Sequence, residues 1–555
     1  MSWLHRIVGV TLLGLVSAGG AWADPALDRR IGTLVAGRDA SSPAALVLAV
    51  DRAWLKQVYA PANPGPVWFT PEGPRAAVAA ALRELRAAAD RGLAPGDYDI
   101  GALERQVEAA NGRGPDPDAV AGADVALSAT ALRFLSDLRY GRVPPQRVLP
   151  HYRARAKDAA FVAELREAVA RDDLGALIAA AEPTFPHYAR LKELLVRYRS
   201  LAAQPAALGL PPLASARSKI VVGDAYAGVP ALHAQLVRLG DLDATSARPV
   251  DDRHSETLAE GLRRFQARHG LLPDGVLGKD TLAALDVPIA ARVGQIVLSL
   301  ERLRWLPDLP AGPLIAINIP SFRLWAFADA PPSENAALSM PVVVGRAMRN
   351  ETPVFIGEMR YLEFSPYWNV PPSILRNELL PRLARDPAYL EREGMEIVGA
   401  RSAAPMEVAD IDAGIAALRS GDARLRQRPG PRNALGGVKF VLPNTMDIYL
   451  HATPERELFD RAQRDFSHGC IRVREPEALA SFALRGRPEW TPAEIEAAMT
   501  SGVNRTVSLT APIPVVVFYT TAIAEVDGRA QFLRDVYGHD RKLLAELRAA
   551  GRTAP

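Results

Sequence analysis

Cysteine is nearly absent: Cys470 is the only one in 555 residues, so no disulfide can form within the chain. Charge bias is also missing, with 66 Lys and Arg against 63 Asp and Glu. No long Lys/Arg block occurs, which leaves no electrostatic footprint for nucleic acid. Long apolar runs are scarce. The first 23 residues come nearest, with His5 and Arg6, an uncharged stretch from Ile7, and Ala21-Trp22-Ala23 before Asp24-Pro25. That order is the pattern of a secretory signal peptide over 1–23. Its apolar heart of about a dozen residues falls short of the ~20 a bilayer span needs, which favours cleavage over retention as an anchor. No later run reads as a membrane span, so no integral membrane segment is expected after cleavage. In an exported chain, an odd cysteine is a free reactive thiol or an intermolecular link.

The length predicts several domains. Residues 43–206 are rich in alanine, leucine and arginine. Stretches such as "PRAAVAAALRELRAAADRGL" repeat apolar residues at helical spacing, which predicts a helical scaffold without clustered catalytic groups. Residues 228–288 read as a small three-helix unit. Leu258, Leu262 and Phe265 mark one buried face, and Pro273-Asp274-Gly275 with Gly278 marks turns. His254 and His269 have no third metal ligand nearby and read as packing residues. From 312 to 485 the period changes to two, in "PLIAINIPSFRLWAF", "MPVVVGRAM", "VKFVLP" and "MDIYLH". This predicts a mainly β domain, interrupted over 374–435 by a helical insertion placed to cap a site. Residues 489–547 read as a C-terminal extension with one strong strand. The expected class is multi-domain α+β.

The thiol lies in "FSHGCIRVREP". His451 ends "DIYLH", and Ser467-His468-Gly469-Cys470 returns after a loop, with Arg472 two residues on. An imidazole and a guanidinium beside a thiol favour the thiolate, which is the nucleophile. Gly469 lets main chain approach a carbonyl, and N–H groups in such a turn can hold an oxyanion. Two other readings stay open on these residues alone. One is an inert buried cysteine. The other is a zinc site of His451, His468 and Cys470, although no HExxH or CxxC accompanies it.

Two longer patterns carry a resemblance. The spacing from Phe265 to Thr281, FQ-x-x-x-G-L-x-x-D-G-x-x-G-x-x-T, resembles the peptidoglycan-binding domain of cell-wall enzymes. His451 followed by Ser467-His468-Gly469-Cys470-Ile471-Arg472 resembles the L,D-transpeptidase signature. "FSPYWNVPPSILRNELLPRL" and "GPRNALGGVKFVLPN" are similar to the large multi-domain members of Gram-negative periplasms. That resemblance implies Cys470 as nucleophile and His451 as general base. It implies Gly469 and the Cys470 main chain at the oxyanion, Ser467, His468 and Arg472 positioning substrate, and Tyr367, Trp368 and Asn369 lining the cleft. It further implies peptidoglycan stem peptides and glycan as partners, 3→3 cross-links as product with release of D-alanine, and inhibition by carbapenems. No metal or other cofactor is expected. Water or a lipoprotein lysine could replace the acceptor amine, and a non-catalytic wall-binding protein is the alternative from another class.

Overall fold

The structure is a computed structural model. It describes residues 24–555 apart from 38–48, 63, 113–115, 158–159, 206–208, 214–218, 247–248, 250, 310, 330–335, 402–403 and 407–410. The expected signal peptide lies outside the described residues. Two compact units are present. One draws on Pro95–Leu138, Lys157–Ala181 and the described residues up to Ala87; the other contains Ala88–Ala94, Arg139–Ala156 and Glu182–Pro555.

The first unit is built of helices around Trp54, Leu55, Trp68, Leu132, Leu135 and Leu165. Its centre is the helix Pro117–Tyr140. This helix is long and apolar enough to cross a membrane, which corrects the reading that no later run qualifies. Yet 78% of its apolar window is buried within the protein, as in the core helix of a folded domain. Two of its buried polar side chains are bonded across the unit. Asp124 accepts from the N–H groups of Val67 (3.0 Å) and Trp68 (2.7 Å), and Ser128 accepts from the Trp68 indole at 2.8 Å.

In the second unit, helices Pro186–Ala203 and Ile289–Leu303 pack through Leu191, Leu195, Ile296 and Leu300. Glu301 is fully buried there, 3.1 Å from Arg142 Nε and 3.2 Å from Arg304 Nη1. Burial alone would push its carboxyl up, but the two guanidinium groups hold it below its ordinary value. Glu301→Ala leaves both cations buried without that carboxylate. The expected cost is about 3–5 kcal/mol, read as a lower denaturant midpoint with unchanged slope. A loss below about 1 kcal/mol would show that water replaces the carboxylate there.

The small helical unit has helices Val229–Leu239, Glu256–Arg268 and Lys279–Leu285. The quoted glycine and aspartate spacing is explained by one side chain. Gln266 Nε2, with two protons to give, lies within hydrogen-bond distance of Asp274 Oδ1 (2.9 Å), the Val276 carbonyl (2.9 Å) and Thr281 Oγ1 (3.1 Å), and its Oε1 accepts from Gly275 N at 2.8 Å. Gly275 has φ 75°, and a Cβ there would stand 3.0 Å from the Ala259 carbonyl oxygen. His254 bonds the Gly275 carbonyl, and His269 bonds the Phe265 carbonyl and stacks on that ring at 3.8 Å. Both histidines therefore serve packing.

The β region is organised by strands β1 (Leu314–Asn318), β2 (Arg323–Phe327), β3 (Leu338–Gly345), β4 (Phe355–Phe364), β5 (Trp368–Asn369), β6 (Met395–Gly399), β7 (Ala423–Gln427), β8 (Val438–Val441), β9 (Leu450–His451), β10 (Asp465–Ser467), β11 (Ile471–Val473) and β12 (Arg505–Phe518). The main sheet has the order β10-β3-β11-β9-β8-β4-β12-β1-β2, and β2 also pairs with β3. That pairing closes all strands but β10 into a ring, which removes exposed edges. Residues alternate along each strand, and one set fills a common core: Ile315, Ile317, Leu324, Leu362, Phe440, Leu450, Ile471, Val515 and Val517. The segment 489–547 is not an appended extension. Its strand β12 lies between β4 and β1. The sequence hid this because a strand buried among neighbours from distant segments carries no local sign of its partners.

The insertion is mixed. Besides helical segments within Pro372–Arg392 and a helix Ile411–Ser420, it carries strands β6 and β7 of an antiparallel sheet β6-β7-β5, whose β5 precedes it. Its own core includes Leu379, Leu383, Ile397, Ile415, Leu418 and Leu425. The strands "MEIVG" and "ARLRQ" are short and carry Glu, Arg and Gln, so their periodicity is weak in sequence.

Candidate functional site

Register assembles the site. Across β4, β8, β9 and β11, Glu363 is opposite Lys439, Lys439 opposite His451, and His451 opposite Arg472. The alternate residues Leu362, Phe440, Leu450 and Ile471 face the core. A polar row therefore crosses the outer face, by the period of two. The β9–β11 pairing is parallel, and the Ile471 N–H donates to the Tyr449 carbonyl at 3.0 Å. This sets Cys470 beside Tyr449, two residues from His451 on the same strand.

The turn before the thiol is cinched by Ser467. Its buried hydroxyl donates to the Cys470 carbonyl (2.6 Å) and accepts from the Gly469 N–H (3.1 Å). Thr352 Oγ1 donates to the Gly469 carbonyl at 2.7 Å and accepts from Gly345 N at 2.8 Å. Gly469 adopts φ 116°, which a side chain would strain. One expectation changes here. The Gly469 N–H is occupied by Ser467, so the donor left in this turn for an oxyanion is the Cys470 N–H.

His451 is 5% exposed, and its Nδ1 lies 2.5 Å from the Ala452 carbonyl. A carbonyl can only accept, so Nδ1 carries the proton and Nε2 is the basic nitrogen. Burial, helped by the Arg472 guanidinium, lowers its pKa to about 3. The half-buried thiol of Cys470 is pushed above its ordinary value by burial, against hydrogen bonding from Tyr449 and the Lys439 ammonium. Among the described residues its partners are Tyr449 and the Asp447 carbonyl at 3.5 Å, not His451. The support for a thiolate expected from His451 and Arg472 is therefore absent here: burial favours the neutral thiol and the neutral imidazole. Arg472 does not pair with the thiol but with Glu455. Alkylation of Cys470 by iodoacetamide should consequently keep accelerating past pH ~8.5, where an ordinary thiol is half ionised. A plateau below pH 7 would mean a preformed ion pair.

His468 is turned to the insertion rather than bonded to the thiol. It is exposed, and its Nε2 lies 2.6 Å from Glu378 Oε1 on the insertion. Tyr367 carries the Arg426 guanidinium 4.2 Å above its ring, Trp368 packs against the insertion core, and Asn369 Oδ1 accepts from Arg424 at 2.5 Å. All three serve the insertion sheet in this structure. The residues missed from sequence are Tyr449, Lys439, Glu363, Glu378, Glu455 and Thr352. Only Tyr449 left a signal, since it precedes His451 by two on one strand. Among the described residues no three His, Cys, Asp or Glu are placed to hold a metal ion. A cavity of about 390 Å³, walled by Leu303, Leu314, Trp325 and Phe518 among others, includes none of these site residues.

Comparison with known families agrees in order. Residues 53–195 match a scaffold domain, 226–285 a domain described as "Putative peptidoglycan binding domain", and 312–495 an L,D-transpeptidase catalytic domain. A protein of Haemophilus influenzae named "Putative L,D-transpeptidase" is 33% identical over 258 residues, 46% of this chain. The match spans 50% of that relative's length.

Proposed function

We propose, from the match of residues 312–495 to the L,D-transpeptidase catalytic domain, that the chain joins peptidoglycan stems through a thioester on Cys470. The observation carrying this is the parallel β9–β11 pairing, which sets a free cysteine and a buried, base-form histidine on one outer face. Cys470 Sγ attacks the carbonyl of the third stem residue as its proton moves to His451 Nε2. A tetrahedral oxyanion forms near the Cys470 N–H. The C–N bond to D-alanine breaks, and the leaving amine takes the proton from His451. The amine of a neighbouring stem then resolves the thioester into a 3→3 cross-link. A resting neutral pair suits this sequence, because the proton moves only as the C–S bond forms.

The peptidoglycan-binding match supports a cell-wall-associated protein, and the export pattern of 1–23 is consistent with a reaction in the periplasm. Incubation with tetrapeptide muropeptides, followed by mass spectrometry, tests the reading. Expected products are 3→3 dimers and D-alanine, with EDTA without effect and a carbapenem adduct on Cys470 that blocks them. Tripeptides alone would assign hydrolysis, and a lysine adduct would assign lipoprotein tethering. EDTA-sensitive turnover without a Cys470 adduct would overturn the thioester.

A further inference from the structure

The site holds two imidazoles with opposite surroundings. His451 is buried and bonded to main chain, whereas His468 faces the exterior and meets a carboxylate. That carboxylate, Glu378, comes from a different element, within a single π-helical turn Leu375–Leu379 of the insertion. Such turns are rare and concentrate at functional sites. Pro381 follows and has no N–H to return to the carbonyl four residues back, which disfavours a regular helix there. Neither side chain is needed to hold the fold. The Ser467–Cys470 turn is tied by Ser467 and Thr352, and the insertion has its own core. Nε2 of His468 donates to Glu378, which leaves Nδ1 as the basic nitrogen, without a partner among the described residues.

We propose that Glu378 and His468 form an acceptor-side pair, in which Glu378 is a positioning residue that orients His468 to bind and deprotonate the incoming amine. The inference rests on the thioester reading of Cys470. An acceptor amine arrives as R–NH3+. One proton passes to His468 Nδ1, and the imidazolium is balanced by the Glu378 carboxylate. The freed lone pair forms the N–C bond at the thioester carbonyl. The C–S bond breaks with its electron pair on Sγ, and the second amine proton returns to Sγ through His451. The third stays on the new amide, and His468 releases its proton to water. Lys439 and Arg472 already pair with Glu363 and Glu455, whereas the carboxylate of Glu378 reaches the thiol-bearing turn at His468, where it can attract an arriving ammonium.

The test uses the full chain with Glu378→Gln, which keeps shape and removes charge, and Glu378→Asp. Cys470 acylation is followed by mass with a carbapenem, and the acyl-enzyme's fate by the ratio of cross-linked dimer to hydrolysed tripeptide. Acylation in Glu378→Gln is expected within about threefold of wild type. The dimer-to-tripeptide ratio should fall at least about tenfold, at the low end of general-base effects, with partial recovery in Glu378→Asp. An unchanged ratio overturns the proposal. So does a parallel loss of acylation and transfer, which would make the contact a clasp for the insertion. Absence of any adduct in the wild type would instead defeat the thioester reading itself.

Discussion

Cys470→Ser is expected to form no acyl-enzyme and no cross-linked product, while unfolding at the wild-type denaturant midpoint. The thiol is one half-buried group with weak contacts to Tyr449 and the Asp447 carbonyl, so its exchange for a hydroxyl leaves the surrounding network of Ser467 and Thr352 in place. Reactivity is another matter. A serine hydroxyl is far less acidic than a thiol, and the base offered to it is an imidazole whose pKa is lowered to about 3. The same imidazole therefore takes the proton far less readily from the hydroxyl than from the thiol, whose sulfur can attack as its proton departs. The check is intact-protein mass after carbapenem exposure together with muropeptide analysis. Wild-type cross-linking by the serine variant would exclude Cys470 as the acyl carrier.

His451→Ala should lower acylation by about 10²- to 10⁴-fold, the range for a lost general base. Because His451 is buried, alanine also leaves a cavity, and the fold must be controlled for. His451→Asn serves that purpose: its amide can donate to the Ala452 carbonyl as Nδ1 does, but it has no basic nitrogen. Both variants should lose acylation alike while Asn keeps stability closer to wild type. His468→Ser should cost acylation much less, since its imidazole bonds to Glu378 rather than standing on the strand beside the thiol. Equal losses in His451→Asn and His468→Ser would mean that the base has been assigned to the wrong histidine.

The candidate site was legible in local sequence because its parts lie close along the chain. Cys470 and Ser467 share one turn. His451 ends a strand only 19 residues earlier, near enough to be paired by eye. The three-helix unit was legible for a similar reason, since the Phe265–Thr281 spacing is the record of one glutamine satisfying a turn and two neighbouring groups. The ionisation state was not legible. Histidine and arginine near a cysteine in sequence suggest a thiolate, but the structure buries His451, turns Arg472 to Glu455 and raises the thiol. Desolvation depends on what packs over a group, and the sequence does not display that.

The sequence by itself determined the α+β class and singled out the one candidate nucleophile and the histidine proposed to accompany it, because side-chain type and the period of two are local properties. Tertiary structure alone decided that β12, from the chain's last sixty residues, lies inside the sheet. It also decided that Glu378, 90 residues before His468, meets that imidazole. Both are contacts between distant segments, set by register, ring closure and the folding of the insertion. No local pattern encodes a partner so far along the chain.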